Sequence, residues 1–251
     1  MSGTALPGPR TWQLGTVTEV VRETPRATSI VLELPCWRGH RAGQHVDVRL
    51  AVDGARHVQR SYSIASAPED DYVMLTVERV PDGEVSPYLA DELRTRDRLE
   101  VRGPIGDFVW DDSGPEPVLL IAAGWGIVPF RSMLRHRRFG PGDVPVRLLY
   151  SARSLRDVIY CRELLRFAAY DEVDIRFALT REWPQNWHGH RGRIDGRLLS
   201  EMSWPAADRP RIFICGPTAF AQTIASVLVA QGQNPERIRQ LSGLGRPDGG
   251  S

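Results

Sequence analysis

Val118-Leu119-Leu120-Ile121-Ala122-Ala123-Gly124-Trp125-Gly126-Ile127-Val128-Pro129 separates two differently patterned halves of the chain. Residues 118–122 are a continuous apolar run, as in a strand buried on both faces. A glycine-rich turn follows, then a helical stretch from Ile127 to Arg138. Beyond it strands and helices alternate: strand Val146 to Tyr150, helix Ile159 to Ala169, strand Val173 to Leu179, strand Arg211 to Cys215 and helix Thr218 to Gln231. This order predicts a doubly wound α/β domain with a parallel sheet. The ligand crevice of such a sheet lies at the carboxyl ends of its strands. Those ends carry Gly124-Trp125-Gly126, Ser151-Ala152-Arg153 and Cys215-Gly216-Pro217.

Upstream the pattern is β. Apolar and polar residues alternate in Gly15 to Val21, Thr28 to Leu34, His45 to Leu50 and Tyr72 to Val80. Turn signals Asp53-Gly54 and Asp82-Gly83 separate some of these runs. With one short helical stretch, Pro87 to Leu93, they predict a small antiparallel barrel. Asp111 to Pro117, acidic with Gly and Pro, reads as a linker. The expected organisation is a barrel domain over 12–110, an α/β domain over 117–240, and loose ends at 1–11 and 241–251.

Composition excludes several functions. All 32 basic residues are Arg, so neither a Schiff-base lysine nor a P-loop lysine exists here. With 31 acidic residues the net charge is +1, and no nucleic-acid partner is expected. The hydrophobic fraction of 41% and charged fraction of 25% are those of a globular chain. No apolar run approaches the roughly 18 residues of a membrane span, so no membrane insertion is expected. The start, MSGTALPGPR, has no basic-then-apolar pattern of a secretory signal. Cys36, Cys161 and Cys215 are scattered without Cys-x-x-Cys spacing, which disfavours structural zinc or a cysteine-held iron–sulfur cluster. They fit a reducing, cytoplasmic location. His188-Gly189-His190 offers two ligands without a third, so no metal is expected.

Five motifs carry chemistry. Arg60-Ser61-Tyr62-Ser63 on a barrel strand can hold a flavin: Tyr as a flat face, Arg as a forked donor to a diphosphate, Ser near the ring edge. An exposed strand with assorted polar residues is the plain alternative. Gly83-Glu84-Val85-Ser86, entering the short helix, suits a pyrophosphate at a helix N-terminus, and Ser86 can equally be an ordinary N-cap before Pro87. Gly103-Pro104-Ile105-Gly106-Asp107-Phe108 is a tight turn. Gly124, Trp125 and Gly126 leave a buried strand and open a helix, where backbone amides can approach a dinucleotide phosphate. Cys215-Gly216-Pro217 ends another buried strand; its Cys is either a core residue or the neighbour of a reactive nicotinamide.

In this order and spacing the five motifs resemble the ferredoxin–NADP reductase superfamily, from about Trp12 to Gln240. The likeness is to compact bacterial ferredoxin and oxygenase reductases without a fused iron–sulfur domain. It implies an FAD-binding antiparallel barrel followed by a nicotinamide-binding α/β domain. It further implies that Arg60 contacts the flavin phosphates, with Ser61 beside it, that Tyr62 lies against the isoalloxazine, and that Ser63 sits near flavin N5. Val77, Gly83, Val85 and Ser86 complete the FAD site. Gly124, Trp125, Gly126 and Pro129 shape the nicotinamide dinucleotide site, and Cys215, Gly216 and Pro217 lie beside nicotinamide C4. Ser63 and Cys215 are the implied catalytic pair, positioning hydride transfer from nicotinamide to flavin. Ser151, Arg153, Tyr160 and Arg162 fall where the adenosine end is held. No carboxylate occupies 151–153, which favours NADPH, with NADH as the alternative. The onward acceptor is expected to be a separate protein, a ferredoxin or a redox enzyme. The oligomeric state is left open.

Two departures leave other functions open. Ala123 stands where the family usually has Gly, and bulky Trp125 where it has Thr or Ser. A Trp125 that blocks the nicotinamide site makes the protein a flavin-binding regulatory or partner-docked component. Replacing the protein acceptor with free flavin or a quinone is the other alternative. The tail from Leu241 to Ser251 lacks the aromatic with which many members approach the flavin. Arg131, Arg135, Arg137 and Arg138 form a basic helix face that is either solvated or steers an acidic carrier.

Overall fold

Alternating side chains in the first half build six antiparallel strands: β1 (Gln13–Thr24), β2 (Ala27–Glu33), β3 (His45–Val52), β4 (Arg56–Ser63), β5 (Val73–Glu78) and β6 (Arg98–Ile105). The computed structural model describes residues 11–52, 56–111, 114–140 and 144–243. The Asp53-Gly54 turn signal, most of the expected loose ends and part of the Asp111–Pro117 linker lie outside them. The sheet order is β4-β3-β6-β1-β2-β5. An antiparallel bridge from Ile64, just past β4, to Leu75 on β5 joins the two edges into a barrel. Period-2 geometry turns Ile30 and Leu32 of β2, and Val73, Leu75 and Val77 of β5, into the barrel core. The opposite faces carry Ala27, Val31 and Met74, which join the core of the second half. Strands β2 and β5 are therefore buried on both sides.

The second sheet is parallel throughout: β7 (Val118–Ala123), β8 (Val146–Ala152), β9 (Val173–Leu179), β10 (His190–Arg191), β11 (Arg211–Gly216) and β12 (Ile238–Ser242). Its order is β10-β9-β8-β7-β11-β12. Helices α1 (Val128–Arg137), α2 (Cys161–Tyr170), α3 (Gly196–Met202) and α4 (Thr218–Ala230) cover it. The apolar run of β7 serves both faces. Leu120 and Ala122 pack with Phe130, Met133 and Leu164, whereas Leu119 and Ile121 pack with Leu198, Leu199 and Leu228. Each Leu or Ile so buried is worth about 1.5–3 kcal/mol. This is the expected barrel followed by a doubly wound domain.

Three local features differ from the sequence reading. Helix α2 begins at Cys161, because Tyr160 takes a left-handed conformation (φ 59°). Helix α3, capped by Asp195 Oδ1 accepting from the Leu198 N–H at 2.8 Å, was not foreseen. Strand β12 runs into residues expected to be a loose end. Among the described residues no helix is long and apolar enough to cross a membrane. Nor is any group of three or more His, Cys, Asp or Glu arranged to hold a metal.

Candidate active site

Strands β7 and β11 are neighbours, but their chains leave in opposite directions, toward β8 and toward β12. Their carboxyl ends thus form the topological switch point of the sheet, where open α/β folds bind ligands. The chain leaves β7 through a 3₁₀ turn, Gly124–Ile127, directly into α1. Gly124 has φ +54°, and a Cβ on Gly126 would stand 2.0 Å from the Cys215 carbonyl oxygen. Only glycine lets the turn lie against β11. The Tyr150 hydroxyl pins it from beneath, donating to the Gly124 carbonyl at 3.0 Å and accepting from the Ile159 N–H at 3.3 Å. Burial pushes that phenol well above its ordinary range, so it stays a donor.

Strand β4 presents the barrel wall. The Ser61 hydroxyl donates to Asp47 Oδ1 at 2.6 Å, and Arg102 holds the other oxygen of that carboxylate at 2.6 Å. Tyr62 and Ser63 are buried, at 6% and 5% exposure, and their hydroxyl oxygens have no hydrogen-bond partner. Burial raises the Tyr62 phenol, so it too remains protonated. Arg60 approaches Glu84 at 3.6 Å, which joins the first motif to the Gly83–Ser86 turn. A Cβ on Gly83 would come within 2.8 Å of Ser86 Oγ. Ser86 caps no helix: its hydroxyl accepts from the Val80 N–H at 3.0 Å and closes the loop. The short helical stretch behind it is a π turn, Tyr88–Glu92, without a side-chain cap. What is corrected is the N-cap role of Ser86; the Gly83–Ser86 turn itself lies beside Arg60.

A cavity of about 400 Å³ lies between the two walls. Ser61, Tyr62 and Ser63 line it from the barrel. Gly124, Trp125, Ser151, Arg153 and Pro217 line it from the α/β domain. The cavity stays open with Trp125 in its wall. Other expected residues lie elsewhere. Val77 and Val85 belong to the barrel core, Gly126 is buried within the turn and Pro129 in the first turn of α1, and Gly216 packs against Phe220 and Ala123. Arg162 is exposed on α2.

Two of these placements are corrections. Cys215 is fully buried in the core below the cavity, with its thiol pushed up by burial, because its backbone rather than its side chain meets Gly126. Tyr160 presents no face to the cavity. Its ring lies under Arg131, with the guanidinium carbon 5.0 Å from the centroid, and its hydroxyl donates to Thr76 Oγ1 across the domain boundary.

The cavity also gathers residues that the sequence reading missed: Arg26, Thr76, Glu78, Arg79, Asp157 and Thr180. Thr76 and Glu78 share one face of β5 by period 2, a signal present in the run Val73 to Glu78. Asp157 lies just beyond the 151–153 stretch searched for carboxylates; its Oδ2 accepts from the Ser154 hydroxyl.

Arg131 and Arg135 of the basic α1 face are taken up by the fold, while Arg138 remains exposed. Arg131 binds Glu163 at 2.6 Å and the Ala65 carbonyl at 2.8 Å. Arg135 binds Asp70 at 2.7 Å and Glu163 at 2.9 Å. Ser132 donates to the Ser66 carbonyl at 2.6 Å, and Arg138 pairs with Asp171 at 3.2 Å. Burial pushes Asp70 up, but the Arg135 guanidinium and the Ala67 N–H together bring it below the usual carboxylate range. The contacts of Arg131 with Ala65, Arg135 with Asp70 and Ser132 with Ser66 clamp the two domains together.

Known proteins repeat this arrangement. The model of an oxidoreductase FAD-binding domain matches residues 15–110, and that of an oxidoreductase NAD-binding domain matches residues 120–226. The glycine betaine monooxygenase reductase subunit of Chromohalobacter salexigens is 34% identical over 220 residues, covering 85% of this chain and 59% of that one. Ferredoxin–NADP reductase B of Sorangium cellulosum is 37% identical over 181 residues, 70% of this chain and 73% of that one. The solved FAD/NAD-binding domain of a nitric oxide dioxygenase from Vibrio cholerae shares the fold, with a TM-score of 0.82 at 24% identity over 92% of this chain and 98% of that one. The chain spans only 59–62% of the length of the monooxygenase reductase subunits it matches. The residues present fit a flavin: Tyr62 and Ser63 line the cavity, and their buried hydroxyl oxygens have no hydrogen-bond partner, an unused polar capacity that suits a ring with a polar edge. An FAD-binding barrel, an NAD-binding α/β domain and relatives of this kind place the chain in the ferredoxin–NADP reductase superfamily.

Proposed function

We propose that the protein is an FAD-dependent reductase that takes hydride from NADPH and passes electrons to a separate protein carrier, such as a ferredoxin or an oxygenase component. The observation that carries this reading is the shared cavity, with Tyr62 and Ser63 on one wall and the switch-point turn Gly124–Trp125 on the other. When bound there, nicotinamide and flavin supply hydride transfer and the release of single electrons. The chain's own residues orient and enclose. Tyr62 offers a flat aromatic face. Ser63 Oγ, having no protein partner, is available to hydrogen-bond at the ring edge. Arg60 and the Gly83–Ser86 turn hold a diphosphate, with a phosphate oxygen replacing the 3.6 Å contact to Glu84.

The choice of NADPH rests on charge. Arg153 is exposed at the cavity and pairs with no carboxylate among the described residues. Asp157, the nearby carboxylate, already accepts from Ser154 and is a poorer acceptor for a free ribose 2′-hydroxyl. A protein acceptor is supported by the relatives, one a monooxygenase reductase subunit and one a ferredoxin–NADP reductase.

The test is anaerobic stopped-flow absorbance of the FAD-loaded protein mixed with NADPH or NADH. Rapid bleaching, faster with NADPH, followed by reoxidation by a ferredoxin in preference to free flavin or a quinone, is the expected result. A flavin that stays bound and oxidised with both nucleotides overturns the proposal and returns Trp125 to the role of a block.

A further inference from the structure

Glu78 closes β5 and turns its side chain into the cavity. A Cβ placed on Gly124 would stand 3.1 Å from Glu78 Oε2, so this carboxylate lies against the turn that carries Trp125. Its charge is poorly compensated. The nearest cation is Arg26 Nε at 3.9 Å, whereas the adjacent Arg79 is drawn away to Asp91 at 2.7 Å. Several carboxylates elsewhere are held closer, such as Glu100 by Arg49 and Glu163 by Arg131, both at 2.6 Å, whereas Asp174 has its arginines at 3.8 Å. The only other carboxylate lining the cavity among the described residues, Asp157, is engaged by Ser154. The turn beside Glu78 that carries Trp125 is pinned through its backbone, because the Tyr150 hydroxyl holds the Gly124 carbonyl at 3.0 Å.

A carboxylate and an indole line the same cavity, and although Arg26, Arg79 and Arg153 line it too, only Arg26 approaches Glu78, at 3.9 Å, so the two side chains still offer a flat cation a negative charge and an aromatic face. The carboxylate supplies the Coulombic attraction, strengthened by the low-dielectric wall. The indole face supplies a cation–π contact. A reduced nicotinamide ring is neutral. Once its C4–H bond has broken and the hydride has left with both electrons for the flavin, the ring carries one positive charge.

We infer that Glu78 and Trp125 form a pyridinium-recognising pair that binds the oxidised nicotinamide more tightly than the reduced one. Trp125 is then a device of product recognition instead of an obstruction. The pair stabilises the charge that develops as hydride leaves, in the manner of any preorganised group aimed at forming charge. It also makes the spent nucleotide slow to depart. This inference rests on the cavity being the nicotinamide site.

The experiment is a binding titration of the FAD-loaded protein, read by flavin difference absorbance. The probes are NADP⁺ and 1,4,5,6-tetrahydro-NADP, whose ring is neutral and gives no hydride; the NAD pair is run in parallel. The wild type binds the charged ring more tightly. Glu78→Gln keeps the size and the acceptor oxygen but removes the charge. It weakens NADP⁺ by about tenfold and leaves the tetrahydro nucleotide within about twofold. Trp125→Leu shows the same selective loss, and it provides the test if the first variant folds poorly. Equal loss of both nucleotides, or no loss, in flavin-loaded variants overturns the inference alone. A wild type that responds to neither nucleotide overturns the nicotinamide site itself.

Discussion

Gly126→Ala tests whether the switch point is built as described. The new methyl carbon would sit 2.0 Å from the Cys215 oxygen, 2.4 Å from its carbonyl carbon and 2.9 Å from the Gly216 nitrogen. All three are backbone atoms of the neighbouring strand, so no side chain can swing aside. Either β11 or the turn must move by more than an ångström. Overpacking of this kind typically costs about 1–3 kcal/mol, and a backbone-on-backbone clash belongs at the upper end. At about 2–4 °C per kcal/mol for a chain of this size, a loss of about 3 kcal/mol lowers Tm by roughly 6–12 °C. The barrel residues proposed to hold the flavin are untouched, so FAD is expected to be retained while nicotinamide binding falls. The assay is a thermal melt followed by circular dichroism, with flavin absorbance and an NADP⁺ titration on the same sample. Gly196→Ala is the control: it lies in α3, its Cβ meets nothing closer than 3.4 Å, and it leaves Tm unchanged or raises it slightly. A Gly126→Ala protein that melts within 2 °C of wild type, a small fraction of the shift worked out above, and binds NADP⁺ normally would refute the placement of the turn against β11.

Four further outcomes are expected. Ser63→Ala retains FAD but slows its reduction by NADPH about tenfold, the worth of one hydrogen bond at the reacting edge; unchanged stopped-flow rates would remove Ser63 from the site. Arg153→Ala weakens NADPH by about tenfold or more and NADH by less than about twofold, and parallel losses in kcat/KM for both would show that Arg153 does not meet the 2′-phosphate. Tyr160→Phe removes the hydroxyl shared with Thr76 and costs about 1–2 kcal/mol; an unchanged Tm would mean that the ring and not the hydroxyl matters. Burial holds His40 below the ordinary value of 6.5, against the opposing pull of the Ser66 carbonyl, Glu69 and Asp70. Its contribution to stability is therefore complete above pH 6.5 and declines as pH falls toward the lower folded value, so Tm drops on acidification from pH 7 and His40→Gln removes part of that drop.

How much was legible depended on whether the signal was local. The run Val118 to Ala122 announces a strand buried on both faces, and β7 is one. Its glycine turn reads as room for a dinucleotide phosphate, whereas in the structure Gly126 is required by the Cys215 backbone of β11, an approach the local sequence does not announce. The capping of α3 by Asp195, with Leu198, Leu199 and Met202 on its buried side, was as local as the β7 run and was overlooked. Strand β12 carried no such signal. Ile238 to Ser242 is largely polar and partly exposed, and its strand conformation comes from pairing with Ile212 to Gly216. The double burial of β5 was likewise invisible, because it depends on a second domain covering Met74 and Thr76.

The same distinction explains the site residues. Tyr62 and Ser63 line the cavity through the geometry of their own strand, β4. Tyr160 was misplaced because its conformation is set by a hydroxyl acceptor far upstream in the chain, Thr76. A left-handed conformation costs a non-glycine residue about 1–2 kcal/mol. The buried hydrogen bond and the Arg131 contact offset that cost, and neither can be seen from the residues around Tyr160. The arginines of α1 repeat the lesson with the sign of charge. Read alone they are an excess of cations on one face; in the fold their counter-charges, Asp70 and Glu163, come from the other domain and from α2. At the cavity Arg153 is exposed without a carboxylate partner among the described residues, and Glu78 on β5 is met only by Arg26 at 3.9 Å. The fold pairs the charges at the clamp closely and these two more loosely or not at all, and a dinucleotide with anionic phosphates and a ring that becomes cationic could use both.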